Sequence, residues 1–362
     1  MNVNSTQNLA AQELAEVVVP CLDLDETLNF FLSSLDFRVE MITPADNPNT
    51  AIISGYGVRL CLRSGGLGKD ITLRLSSINR ATQTLRAPNG TTIEIINANL
   101  DVVLPELKES LVVTPLTSDA SWTVGRAGMR YRDLIPNRLG GAFIASHIHI
   151  PSGGPVPDYV HYHRIKFQMI YCKSGWVRVV YEDQGESFVM NAGDCVLQPP
   201  EIRHRVLESS DNLEVIEIGA PAEHETFAEH TITLPTSTLQ PDRDFSGQRF
   251  VRHVAEQTPW LPWRFEGFEA RNTGIDLATS GYASALTVRG TKSSVLQESK
   301  HQHQLMFTFI LSGSATLETG NDREIRQLQA GASITLPSTL DYKLKVSSAN
   351  AELLVVEVGS SN

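Results

Sequence analysis

Residues 158–176 read DYVHYHRIKFQMIYCKSGW, and residues 192–204 read AGDCVLQPPEIRH. The first stretch sets His161 and His163 two apart in a segment rich in Val, Tyr, Phe and Ile, which suits a strand. Residues i and i+2 of a strand point to one face. If that face lines an enclosed interior, both imidazoles reach the same place. The question the stretch raises is whether that pair holds a metal or is only part of a wall.

Outward from this stretch, the chain repeats itself from about residue 122. GMRYRD (128–133) returns as GFEARN (267–272), and His161-Tyr-His163 returns as His301-Gln-His303. KSGWVRV (173–179) returns as LSGSATL (311–317), AGDCVLQP (192–199) as AGASITLP (330–337), and LEVIEIG (213–219) as LLVVEVG (353–359). The offsets stay between 138 and 140 residues and the landmarks keep one order. A duplicated domain explains this. Short alternating strands between Gly- and Pro-containing turns make each copy an all-β sandwich or barrel. The piece TLPTSTLQPDRDFSGQ (233–248), rich in Thr, Ser, Pro and Asp, reads as the linker between the copies.

The repeated unit resembles the cupin family, a double-sheet jelly-roll barrel. Gly154, His161, His163, Gln168 and Gly175 meet the spacing of its first motif; Gly193, Pro199 and His204 meet that of its second. The resemblance implies that His161, His163 and His204 are metal ligands. A third imidazole from a partner strand closes a facial set and leaves positions open for water, substrate or oxygen. Imidazole suits iron, manganese, nickel, copper and zinc alike, so the sequence does not choose the metal; the resemblance to oxygen-using relatives favours Fe(II). Gln168 stands where cupins usually carry Glu. The amide is neutral, so the expected first shell is three neutral histidines, with Gln168 a weak ligand or a hydrogen-bonding neighbour. A more positive centre attracts an anionic or chelating substrate. An interior cluster of satisfied histidines without metal stays open as the bland alternative.

Other side chains lie near these in sequence. Tyr159 shares the parity of His161 and His163, so it is expected to point inward; orienting substrate is the sharper role for its hydroxyl, packing the commoner use of a strand tyrosine. His147 and His149 in FIASHIHIP form another HxH; packing is the commoner use of such a pair, a proton relay the sharper one. Cys172 is expected to pack. In the second copy His301 and His303 persist, but Tyr342 stands where the third histidine belongs and Met306 at the acidic position. Two imidazoles, a phenol and a thioether suit a hard divalent ion poorly, so no catalytic metal is expected there. WLPWRFEGF (260–268) is expected to fill the core between the barrels.

All ten histidines lie at or after His147, so the first part of the chain does different work. EVVVPCLDLDETLNFFLSSLDFRVEMITP reads strand, helix, strand, with Leu28, Phe31 and Leu35 at helical spacing behind a capping Asp. AIISGYGVRLCLR reads as a hairpin, and ITLRLSS and TTIEIINA as strands with PNG as the turn between them. This order resembles the vicinal-oxygen-chelate (glyoxalase/bleomycin-resistance) module, whose metal ligands are absent here; scaffold, dimer surface or ligand cover is the implied role.

The expected architecture is therefore mainly β. A small α+β module over 1–115 precedes two tandem barrels over 122–234 and 245–362, the first carrying the site. A net charge of −11 argues against nucleic acid. No apolar run approaches a membrane span, and the polar start lacks a signal peptide's pattern. Four cysteines without CxxC spacing read as free thiols of a reducing cytoplasm. The resemblance implies a dioxygenase acting on a small anionic or enolisable substrate, and a homodimer. The alternatives are a redox-neutral isomerase or lyase at the same site, and a non-catalytic small-molecule-binding protein.

Overall fold

The computed structural model of the chain describes residues 13–98, 101–118, 120–291, 294–298, 301–320, 324–346 and 351–360. It divides into two compact units, residues 1–101 and 102–362. In the first, the helix Leu24–Leu35 begins at Asp23, whose side chain accepts from Glu26 N at 2.9 Å. The helix buries Leu24, Leu28, Phe31 and Leu35. Beside it lies a sheet in the order Val17–Cys21, Val58–Ser64, Thr50–Gly55, Arg38–Thr43, its first pair parallel. The expected hairpin turns at Tyr56 and Gly57, both at positive φ. The PNG turn is placed differently from the expectation. It joins Thr92–Asn97 to an additional strand, Gln83–Arg86, while Thr72–Ser77 runs parallel on the other side of Thr92–Asn97. A parallel neighbour cannot be reached by a tight turn, so the intervening strand was needed.

The second unit is mainly β and holds two jelly-roll barrels, each an open pair of sheets. In the first barrel the inner sheet runs Val251–His253, Cys195–Leu197, Phe167–Ser174, Leu213–Ala220, Ile144–Ile150, Arg130–Asp133, Thr123–Val124. The outer sheet runs Phe188–Asn191, Trp176–Tyr181, His204–Ser209, His161–Arg164, Glu225–Ala228. The second barrel repeats the plan with Leu261–Pro262, Phe268–Asn272, Ala283–Gly290, Glu352–Ser360, His303–Ser312, Ser333–Thr335, Val112–Thr114 as its inner sheet.

The inner sheets of the two barrels lie face to face. Phe167, Met169 and Tyr171 of one meet the same core as Leu305, Phe307, Phe309, Leu354, Val356 and Val358 of the other. The alternate residues face their own barrel: Cys172 in the first, Met306, Ile310, Leu353 and Val355 in the second. The central inner strands are thus buried on both faces, which is why FQMIYC and LLVVEV read as near-continuous apolar runs.

The barrels also exchange strands. Val112–Thr114, which precedes the first barrel in sequence, pairs with Ser333–Thr335 of the second. Val251–His253, which follows the linker, pairs with Cys195–Leu197 of the first. Residues 102–115 therefore belong with the barrels and not with the N-terminal module, and residues 245–253 serve the first barrel. The linker is not free chain: Thr236 and Thr238 bond to Asp183, Arg243 to Glu182 and Asp183, and Phe245 enters the first barrel's core. The register corrects one repeat alignment as well. Ile170 pairs with Glu217 and Thr308 with Val355, so the last long strand returns at an offset of 138 rather than 140. Glu357 accordingly sits two residues further along the face that Glu217 occupies in its own barrel.

Candidate metal centre

His161 and His163 project from one strand, and His204 is the direct cross-strand neighbour of His161. Their ring centroids lie 4.2 Å apart for His161–His204, 5.2 Å for His161–His163 and 5.3 Å for His163–His204. One ring nitrogen of each falls within 4.8 Å of the others. The structure thus brings together the three histidines singled out by spacing.

The remaining ring nitrogens are committed. Nδ1 of His161 lies 2.8 Å from Tyr159 O, that of His163 2.9 Å from Thr226 Oγ1, and that of His204 2.9 Å from Ile202 O. A carbonyl can only accept, so Nδ1 of His161 and of His204 carries the proton and Nε2 offers its lone pair. Burial holds all three rings below the ordinary imidazole value, His163 at about 3; adjacent imidazoles add to this for His163 and His204, and Arg126 for His161. Neutral rings with inward lone pairs fit a divalent transition metal. One group contests the fit: Arg126 Nη2 lies 3.0 Å from Nε2 of His161. A single lone pair cannot serve both, so a metal on His161 requires this guanidinium nitrogen to withdraw.

The site opens on a cavity of about 360 Å³. Its walls are largely apolar, with Ile144, Ile148, Ile170, Val179, Val206 and Val215 among them, and Arg126, Gln168, Gln198, Glu217 and Thr226 are among its polar lining. Gln168, 2 % exposed, donates from Nε2 to Glu217 Oε1 at 2.6 Å. Gln168 is therefore a hydrogen-bonding neighbour whose amide is oriented by a carboxylate. Tyr181 stacks on His204 and accepts from Gln198. His224 reaches the cavity edge, 5.3 Å from His163 between ring centroids.

The sequence reading missed Arg126, Asp158, Glu217 and His224. Asp158 has a fully buried side chain; it accepts from Arg126 Nη1 at 2.5 Å and from Val206 N at 3.0 Å. A buried carboxylate demands a cation, and the Asp three residues before His161 in an otherwise apolar run was the one available signal.

Tyr159 is a correction. It is 45 % exposed and does not line the cavity; its carbonyl holds Nδ1 of His161, and its ring lies edge-on to that imidazole at 6.0 Å and under Arg126 at 5.9 Å. The strand begins at His161, so strand parity cannot be extended back to Tyr159. His147 and His149 face away from the cavity. His147, 1 % exposed, lies between Arg132 (3.1 Å) and Glu214 (2.5 Å) beside Phe309 of the second barrel. Arg132 also donates to Gly331 O at 2.6 Å, and burial lowers its pKa to about 10. The hydrogen bond from His147 helps hold Glu214 at about 2. Cys172 is buried in the barrel's apolar core.

In the second barrel His301 spends both nitrogens on the backbone, Nε2 with Leu336 O at 2.9 Å and Nδ1 with His303 N at 3.2 Å. Tyr342 donates to the Met306 sulfur at 3.3 Å. Arg264 donates to Glu357 at 2.6 Å, and Ser284 lies 3.2 Å from the same carboxylate.

Residues 146–219, within the first barrel, match the family model described as Cupin domain. The fold is similar to that of salicylate 1,2-dioxygenase from Pseudaminobacter salicylatoxidans, at 16 % identity and a TM-score of 0.52, covering 71 % of this chain and 86 % of that one. It is also similar to Bacillus subtilis oxalate decarboxylase, described with Mn(II) centres, at 15 % identity and a TM-score of 0.50, covering 72 % and 78 %. At these identities the likeness is one of fold. No curated protein matches the sequence. The match to the cupin domain model thus lies within the first barrel, and the likeness to these enzymes spans 71–72 % of the chain as a similarity of fold. No helix among the described residues is long and apolar enough to cross a membrane.

Proposed function

We propose that the protein is a metal-dependent enzyme, a dioxygenase that acts in the first barrel on a small anionic or enolisable substrate with an apolar body. The observation that carries this is the convergence of three neutral imidazoles on one end of a largely apolar cavity. His161, His163 and His204 would hold the ion, with Fe(II) favoured; bound there, it would supply open coordination positions and redox chemistry. The chain's own residues do the rest. The aliphatic walls hold the substrate's body and exclude water. Arg126, once withdrawn from His161, presents Nη2 to the substrate's anion. Gln168 holds Glu217 by one oxygen and leaves the other to accept a substrate proton. The second barrel, its histidine and arginine committed internally, acts as support. The N-terminal module is glyoxalase-like scaffold without metal ligands, and the enzyme works in the cytoplasm as a homodimer.

Glu217 facing the cavity favours one second reading, a redox-neutral isomerase or lyase. An oxygen electrode separates the two. Fe(II)-loaded protein is offered a panel of aromatic and aliphatic monocarboxylates. The dioxygenase reading expects oxygen uptake coupled to substrate loss, abolished under nitrogen and in His163→Ala. Turnover that continues unchanged under nitrogen selects the redox-neutral reading.

A further inference from the structure

Each barrel sends an arginine toward its interior from the segment just before its Gly-led strand, Arg126 in RAGMRYRD and Arg264 in RFEGFEARN. Each also places a glutamate on the interior face of its last long strand, Glu217 and Glu357. The outcomes differ. In the second barrel the arginine closes on the glutamate at 2.6 Å. In the first, Arg126 is bound to Asp158 at 2.5 Å instead, and Glu217 is occupied by Gln168. Arg126 and Glu217 nonetheless line one cavity. They also act in opposite directions on Tyr131, whose pKa burial and then the charge of Glu217 raise and Arg126 lowers.

We propose that Asp158 is a positioning residue that keeps Arg126 beside the histidine site and off Glu217, so that the first cavity stays open to a carboxylate ligand. The role of Arg126 toward the anion rests on the function proposed above; the role of Asp158 is new to it. Asp158 is suited to the task. Its side chain is fully buried, and its second oxygen is fixed by Val206 N, so it cannot follow the arginine outward. Removing that charge leaves Glu217 as the carboxylate facing Arg126, and the pairing seen in the second barrel should form. A metal held by Nε2 of His161 would require Nη2 of Arg126 to leave that nitrogen, and the bond from Nη1 to Asp158 would keep the guanidinium at the site with Nη2 available to an anion.

The test uses Co(II)-loaded full-length protein, crystal structures and calorimetric titration with benzoate. Asp158→Asn should bind benzoate about 10- to 100-fold more weakly than the wild type, the worth of a charge-assisted hydrogen bond. Its structure should show Arg126 on Glu217. The double variant Asp158→Asn/Glu217→Gln should recover the wild-type affinity within a few fold, because the competing carboxylate is gone; a general loss of structure would not be rescued this way. Arg126 staying in place in Asp158→Asn, or a double variant no better than the single one, overturns the proposal. Should Asp158→Asn not fold, Glu217→Gln alone decides. It must keep its benzoate affinity, and a loss of about tenfold or more would make Glu217 the arginine's anchor. If Arg126→Met binds benzoate as the wild type does, or the wild type binds none, the anion role of Arg126 fails. The two crystal structures then judge Asp158 separately.

Discussion

Gln168→Glu restores the carboxylate that cupins usually carry, and the structure says it should be harmful. Gln168 donates to Glu217 Oε1 at 2.6 Å from a position that is 2 % exposed. The substitution replaces that donor with an acceptor. About 1.5–3 kcal/mol of charge-assisted bonding is lost. Two carboxylates with centres about 4 Å apart then repel by about 4 kcal/mol at an effective dielectric of about 20. The pair can escape repulsion by holding one proton, at a cost of about 1.4 kcal/mol for each pH unit above an ordinary carboxylate value. The folded-state pKa of the pair is thus raised, so the variant is least harmed at low pH and loses stability as pH rises. In metal-free protein, about 5 kcal/mol should be lost at pH 8 and about 1 kcal/mol at pH 5. At about 2–4 °C per kcal/mol, the melting temperature should fall by roughly 10–20 °C at pH 8 and by only a few degrees at pH 5. Differential scanning calorimetry at both pH values measures this. An unchanged melting temperature at pH 8, or the same depression at both, would refute the account of why glutamine stands at 168.

Two further outcomes follow from the buried charges. His147, His161, His163, His204 and His253 are all held below the ordinary imidazole value by burial. The unfolded chain takes up protons near pH 6.5 that these folded rings refuse. Their stabilising neutral state is therefore secure above pH 6.5 and penalised below it, and metal-free protein should melt at progressively lower temperature from pH 7 to pH 5; a rise would contradict the assignment. Arg132→Met removes the bonds to Gly331 O, Pro115 O and His147 at the contact between barrels and, by leaving buried acceptors unpaired, should cost about 2–3 kcal/mol. Metal content should be unchanged, since this cluster lies on the far face of the strand Ile144–Ile150 from the cavity. A cost under about 1 kcal/mol would show that the cluster does not tie the barrels together.

What the sequence disclosed was what repeats or has a fixed period. The i, i+2 spacing of His161 and His163, and the turn that leads to His204, survive translation into three dimensions because a strand fixes which face each residue takes. The duplicated barrels were legible for the same reason. Tyr159 was misplaced because parity was carried past the strand's first residue. Arg126 and Asp158 were harder to read, because Arg126 sits in a single 3-10 turn and Asp158 in irregular chain, where neither period nor motif applies and only the lone Asp in an apolar run hinted at a buried pair. The Glu217 partner of Gln168 lies 49 residues away and is set by sheet register. The strand exchange between barrels depends on two three-residue strands, too short to carry a pattern.

The central claim is that His161, His163 and His204 form one metal site. Elemental analysis of protein purified without added metal, beside His204→Ala that melts normally, tests it directly. The account predicts a stoichiometric divalent transition metal in the wild type and its loss from the variant. Equal metal in both would remove His204 from the ligand set and with it the site as described.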